Sequence, residues 1–242
     1  MKLLEFPHSH FCEKARWALD YKGIPFEAVA ILPGFHRITV RKYAQDNSVP
    51  VLLSDDGAVQ GSGEIITYLE QEYPARSLTP KNAVERQACL DIEHDMDERL
   101  GETIRPILYS TLLAYPDFLR YCFAHPMPWY KQLTFRLFYP VLRYKIYQTY
   151  VISPAHVEQA RYEFDVAMGE LEKKLNRRHY LVGDQFTRAD LSVASMLSLL
   201  VMPPEHPFPW IDVPDARTQI FLDLYRDHPV CAWVRKMYRA HR

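Results

Sequence analysis

Residues Met1 to Phe26, MKLLEFPHSHFCEKARWALDYKGIPF, pass from a strand directly into a helix, and that junction limits the fold more than any other stretch. Lys2 to Phe6 reads as a short buried strand, and Pro7 with His8 and His10 breaks the pattern. A helix is predicted from about Phe11 to Lys22. Its period is carried by Phe11, Ala15 and Ala18 and by the neighbouring series Cys12, Ala15 and Leu19. Gly23 is a C-terminal stop and Pro25 blocks continuation. Ser9-His10-Phe11-Cys12 therefore sits where strand gives way to helix. Backbone N–H groups at a helix start lack helical partners, and the helix dipole favours negative charge there. A hydroxyl or thiol at that place has help in stabilising an anion.

Two further stretches share this part of the chain: Ser48-Val49-Pro50-Val51-Leu52-Leu53, and Gly61-Ser62-Gly63-Glu64-Ile65-Ile66-Thr67-Tyr68-Leu69. In that order and spacing the three elements resemble the thioredoxin-like domain of the cytosolic glutathione S-transferases. A second match lies far downstream, where Gly183-Asp184 precedes Phe186-Thr187-Arg188-Ala189-Asp190-Leu191. Thr187 is placed to cap a helix, with Asp190 reaching back three residues later as a capping box, and Phe186 and Leu191 are placed as a hydrophobic staple. The same G-D-x-x-T-x-A-D arrangement is typical of that family's C-terminal domain. His228-Pro229 ahead of Trp233 and Met237 is similar to its last helix.

The rest of the chain agrees with that architecture. Phe26 to Leu32 reads as a second strand ended by Pro33-Gly34, and Phe35 to Asp46 as a short irregular helix. Val51 to Leu53 and Ala58 to Gln60 should form a hairpin about Asp55-Asp56-Gly57. Ser62 then caps a helix carrying Ile65, Ile66, Leu69 and Tyr73. Pro74 to Asn82 breaks all periodicity and reads as a linker. Everything afterwards reads as helical. Val84, Ala88, Ile92, Met96 and Leu100 mark one face, and Ile220 to Leu224 and Val230 to Met237 mark two last helices. Leu191 to Val201 is apolar nearly all round and should be a buried central helix. The fold class expected is α/β plus all-α: a thioredoxin-like domain over residues 1–75, a linker over 76–83 and an all-helical domain over 84–242.

Composition excludes several classes. The 242 residues are 48% hydrophobic with a formal net charge of -1, which gives no reason to expect nucleic acid as a partner. Cys12, Cys89, Cys122 and Cys231 are scattered, without a C-x-x-C pair or metal spacing, so no metal is expected and a reducing cytoplasm fits. No signal peptide and no spanning segment is read, and no membrane association is expected.

The resemblance implies glutathione as co-substrate, a small hydrophobic electrophile as second substrate, and a homodimer. It implies glutathione binding at Ser9, Phe11, Val49, Pro50, Gly61 and Ser62, with Ser9 as the catalytic residue whose hydroxyl stabilises the glutathione thiolate. A tyrosine in that role is not expected, because the first strand ends in Phe6-Pro7. Ser9 also reads as a plain helix cap, and the two roles do not exclude each other. Cys12 reads as a small core residue more readily than as a redox thiol. His8 and His10 flank Ser9 and could polarise a thiol, but read first as solvated loop residues. Pro50 reads either as the family's cis-proline or as an edge-strand proline.

Two positions depart from the family pattern. Gly61 stands where an acidic residue or glutamine usually precedes the serine, and Ser48 where a lysine or arginine often precedes the Val-Pro. They favour the alternative of a non-catalytic protein of this fold that binds a partner or membrane surface through its helical part. His36, Arg37 and Arg41 are candidates for the missing cation. Between Tyr109 and Tyr150 the chain is crowded with aromatics, read first as helix core, second as pocket lining and last as a membrane element. The edge Glu85, Glu93 and Asp97, with Arg76 and Arg86, is a candidate dimer contact.

Overall fold

The computed structural model describes residues 1–125 and 127–242. Four strands form one sheet: β1 (Lys2–Glu5), β2 (Glu27–Ala30), β3 (Val51–Ser54) and β4 (Gly57–Gln60), in the order β2-β1-β3-β4. β1 pairs parallel with β2 and antiparallel with β3, and β3 pairs antiparallel with β4. α1 (His10–Tyr21), α2 (His36–Val40) and α3 (Ser62–Glu72) complete this part. Strand alternation sorts the side chains. Leu3 and Leu52 join Ala15 and Ile65 in one core, whereas Leu4 and Val51 join Ile31 and Val40 in another. Asp55 and Asp56 form the two-residue turn of the hairpin, and Gly57 follows at φ +132. This is the thioredoxin-like half expected from the sequence.

The second part is helical: α4 (Ala83–Met96), a π-helical stretch (Asp97–Glu102), α5 (Ile104–Leu112), α6 (Pro116–Ala124), α7 (Trp129–Thr149), α8 (Pro154–Leu175), α9 (Arg188–Met196), α10 (Ser198–Val201), α11 (Ala216–Leu224) and α12 (Pro229–His241). One apolar core runs through both parts, from Leu3, Trp17 and Ile65 to Met96, Phe164, Leu191 and Val234. All nine residues of α9 are buried. Asp190 accepts the Thr187 N–H at 2.9 Å and the Thr187 hydroxyl at 2.8 Å, and its other oxygen takes the Leu181 N–H at 2.8 Å. The capping box is present. Phe186 and Leu191 are buried in the same core.

Several expectations need correction. α3 is capped by Gly61, and Ser62 is its first helical residue. The non-helical stretch from Pro74 to Asn82 is anchored by Leu78, which is fully buried and whose carbonyl accepts the Arg188 N–H at 2.8 Å. Val84 is exposed, because the buried stripe of α4 is Cys89, Glu93 and Met96. Ile220 and Leu224 face solvent, while Phe221 and Leu222 pack inward. The run Leu191 to Val201 is broken at Leu197 into α9 and α10, and Met202 closes it in the left-handed region at φ 44.

Candidate functional site

Ser9 is the N-cap of α1: its backbone is extended and its Oγ accepts the Cys12 N–H at 3.4 Å. Because Oγ is the acceptor in this bond, its own proton is left to donate elsewhere. Ser9 is half-buried and lines a cavity of about 850 Å³. Phe6, Phe11, Leu108, Tyr109, Phe123 and Phe208 are among its walls, so its lining is largely apolar. An adjoining polar cleft of about 730 Å³ is lined by Pro50, Gly61, Ser62 and Glu64. Phe11, Ser48, Val49 and Arg105 line both spaces. Each of the six residues singled out in the sequence thus lines one or both of two neighbouring spaces.

Three backbone features shape the cleft. The Val49–Pro50 bond is cis, as one of the two sequence readings had it. The Val49 N–H and C=O make no hydrogen bond to another described residue, while the Pro50 carbonyl accepts the Gly61 N–H at 3.1 Å. Gly61 sits at φ +98, where L side chains are rare. A Cβ built there would lie 2.2 Å from Glu64 Oε2. The Glu64 carboxylate therefore occupies the space where a side chain at residue 61 would begin. The start of α3 is fixed from the helical part, since Arg188 donates to the Gly63 carbonyl at 2.9 Å and to Thr67 at 3.1 Å.

Ser48 is tied to Gln60, whose Nε2 donates to the Ser48 carbonyl at 2.9 Å. Of the candidate cations, Arg41 is engaged by Asn47 at 2.9 Å, and His36 and Arg37 line the apolar cavity. The cation at the junction is Arg105, which the sequence reading missed. Its guanidinium lies 4.7 Å from the centre of the Phe11 ring and is held by Glu102 at 2.6 Å. The available signal was one cation isolated in the apolar run Ile104 to Leu113.

His8 and His10 are held in place by backbone carbonyls, which corrects their reading as solvated. His10 Nε2 donates to the Gly101 carbonyl at 2.8 Å and His8 Nδ1 to the Cys122 carbonyl at 3.0 Å. Burial pushes His10 down to about 3 and His8 down to about 4, so both are neutral at pH 7. Gly101 lies in the π-helical stretch, and a Cβ there would come within 2.7 Å of the Phe11 ring and 2.6 Å of Met196 Sδ. The π-bulge thus accepts the His10 bond and lets Phe11 pass close to the backbone.

Cys12 is fully buried, and burial pushes its thiol up to about 12. It is a core residue, not a reactive one. Beneath the site Lys14 pairs with Glu93 at 2.8 Å and with Asp97, and Arg188 also pairs with Glu93. Glu93 and Asp97 are thus spent inside the chain, which removes them from the candidate dimer edge.

The model of the glutathione S-transferase N-terminal domain matches residues 3–77, and that of the glutathione S-transferase C-terminal domain matches residues 135–210. No curated protein matches the chain. Among solved structures, a glutathione S-transferase from Methylobacterium radiotolerans in complex with glutathione sulfonate is 20% identical, with a TM-score of 0.66. The match covers 99% of this chain and 90% of that one. A glutathione S-transferase from Methylobacillus flagellatus with glutathione bound is 19% identical at a TM-score of 0.64, covering 99% and 96%. A β-etherase from Sphingobium is 21% identical at 0.64, covering 97% and 98%. At these identities the likeness is one of fold.

Proposed function

This chain belongs to the glutathione S-transferase family, and from that premise we propose that it conjugates the thiolate of bound glutathione to a small apolar electrophile. The observation that carries the reading is the position of Ser9. It caps α1 at the edge of an apolar cavity, beside a polar cleft that shares Phe11, Ser48, Val49 and Arg105 with it. Glutathione would lie in the cleft. The unpaired backbone groups of Val49 suit the cysteinyl peptide, and Ser62 with the neighbouring N–H groups of α3 suits the γ-glutamyl carboxylate. The Glu64 carboxylate, folded over Gly61, stands in for the acidic group expected just before the serine.

The chemistry asked of the protein is modest. A free thiol has a pKa of about 8.5 and attacks only as thiolate. The Ser9 hydroxyl, the helix start and the Arg105 guanidinium all favour the anion. The thiol proton leaves to solvent. The sulfur forms its bond to the electrophilic carbon as the leaving group departs with its electron pair. The apolar cavity holds the electrophile and excludes water.

Replacing Ser9 by Ala should raise the pKa of bound glutathione and lower turnover on the order of 10²–10³-fold, with glutathione affinity nearly unchanged. Thiolate absorbance against pH in both proteins, with melting curves alongside, checks it. An unmoved thiol pKa with lost stability would reduce Ser9 to a cap and point to His8, which lines the same cavity.

The departures at Ser48 and Gly61 support a second reading, a non-catalytic protein of this fold. Retention on glutathione-agarose and elution by free glutathione separate the two. We also propose a homodimer, carried by the exposed part of α4 around Val84, Glu85 and Arg86 and not by Glu93 or Asp97. Sedimentation at micromolar concentration tests it.

A further inference from the structure

α7 is apolar on two opposite sides. Phe135, Tyr139 and Ile146 are buried against the helical part. Projected at about 100° per residue, Trp129, Leu133, Leu137, Val141, Tyr144 and Tyr147 fall in one outward sector about 120° wide. All six are exposed, Trp129 at 75% and Leu137 at 70%. On that projection Arg136 and Arg143 border one edge of the sector, and Lys131 and Lys145 lie beyond the other. Trp129 to Thr149 contains no Asp or Glu. Among the described residues none of the four cations has a carboxylate partner within ion-pair distance. This concentration of positive charge sits in a chain whose formal net charge is -1.

The same face continues to the mouth of the apolar cavity. Phe35 and Phe138 meet edge to face at 5.1 Å, and with Ile38 and Val141 they are both exposed and part of the cavity wall. Arg37 is exposed beside them. Aromatic rings with aliphatic side chains between them, bordered by long cations, suit the boundary between water and an acyl layer. Lys and Arg stems can lie along the acyl boundary while their heads meet phosphate. A second copy of the chain is a poor occupant, since self-pairing of α7 would set four cations against four with no acid on the helix. No helix among the described residues is long and apolar enough to cross a membrane, so α7 would lie on a bilayer.

We propose that the outward face of α7, continued by Phe35 and Ile38, docks on an anionic lipid surface with the cavity mouth turned toward the bilayer. This revises the sequence expectation of no membrane association. It holds whether or not the chain conjugates glutathione, and its test reads lipid binding alone.

Co-sedimentation with large vesicles provides the test. One set contains equal parts phosphatidylcholine and phosphatidylglycerol, the other phosphatidylcholine alone. The wild type should partition at least about tenfold more strongly to the anionic set, and raising the salt to about 1 M should remove most of that preference. K131Q/R136Q/R143Q/K145Q should lose about fivefold for each cation removed. L133Q/L137Q changes two exposed residues outside the cavity wall and should lower partitioning at least about tenfold with an unchanged melting temperature. The proposal is overturned if the wild type binds neither vesicle, if it binds both equally, or if L133Q/L137Q binds like wild type. It is also overturned if sedimentation without lipid shows a dimer that L133Q/L137Q dissolves, which would assign the face to a second copy. Should either variant fold poorly, the wild-type comparison between vesicle sets still decides.

Discussion

α9 reads from sequence as apolar nearly all round and the aromatic stretch that holds α7 reads first as helix core, and they end up in opposite surroundings. All nine residues of α9 are buried, whereas only three of the 21 in α7 are. Their charges differ in the same sense. Arg188 and Asp190 of α9 are satisfied inside the protein by Glu93, the Gly63 carbonyl, Thr187 and the Leu181 N–H. Among the described residues, Lys131, Arg136, Arg143 and Lys145 of α7 have no such partners. A buried charge without a partner costs several kcal/mol, so a helix enters the core only where each of its charges finds one. Apolar content alone does not decide which helix is central; charge pairing does.

The largest expected effect breaks the paired side of the comparison. Lys14 is fully buried and serves both Glu93 and Asp97. Lys14→Met keeps the volume and removes the cation, leaving the buried Glu93 and the half-buried Asp97 short of charge. Urea unfolding should report a loss of about 3–5 kcal/mol. A loss below about 1 kcal/mol would mean that Arg188 alone satisfies Glu93.

Next in size is Leu191→Ala in α9. Leu191 is fully buried in the core that both parts share. Its truncation should cost about 2–5 kcal/mol, through lost transfer energy and a cavity, in the same urea titration.

Acidification probes the buried neutral groups. His10 and His206 are held down to about 3 and about 4 by burial, both below the usual value of 6.5. The unfolded chain therefore takes up their protons first as pH falls through 6.5, and stability drops down to the folded values. Asp190 acts oppositely: burial raises it to about 6, so the folded state binds its proton first and stability recovers somewhat between pH 6 and 4. His8, held down to about 4, acts in the same sense as His10 and His206. From pH 7 to pH 5 each of the three histidines costs about 2 kcal/mol and Asp190 returns about 1, a net loss of about 4–5 kcal/mol. Melting temperatures across that range should fall, and His10→Gln should flatten the slope. A flat wild-type profile would contradict the burial of these rings.

The thioredoxin-like half was legible because strand alternation, Gly23, Pro25 and the two-residue Asp55-Asp56 turn are local signals. The capping box at Thr187 and Asp190 was legible for the same reason. What escaped depends on contacts far apart in the chain. Arg105 lies over the ring of Phe11, 94 positions away, and Gly101 leaves room for that ring. His8 and His10 looked solvated because their partners, the carbonyls of Cys122 and Gly101, lie far along the chain. Ser62 reads as the cap, since nothing in the local pattern reveals that Gly61 occupies a positive φ with Glu64 folded over it. The aromatic crowding between Tyr109 and Tyr150 reads first as core, but in α7 the apolar residues fall on two faces and only one of them is packed.

The smallest expected effect is the sharpest test of that last point. Leu137→Ala deletes the same atoms as Leu191→Ala, on a helix of similar apolar character. Leu137 is 70% exposed, so there is little transfer energy to lose and no cavity to leave. Its stability cost should stay within about 0.5 kcal/mol, the range of ordinary surface substitutions. Helix propensity favours Ala slightly over Leu and works in the same direction. The ratio between the two leucines then measures burial directly, independent of residue type. If Leu137→Ala costs as much as Leu191→Ala in dilute solution, the outward face of α7 is covered in the free protein, by a second copy of the chain. A concentration dependence of the melting temperature would identify that case, because dissociation and unfolding would be coupled. If the cost is small and independent of concentration, the face is open in solution and available to a surface that the protein meets elsewhere.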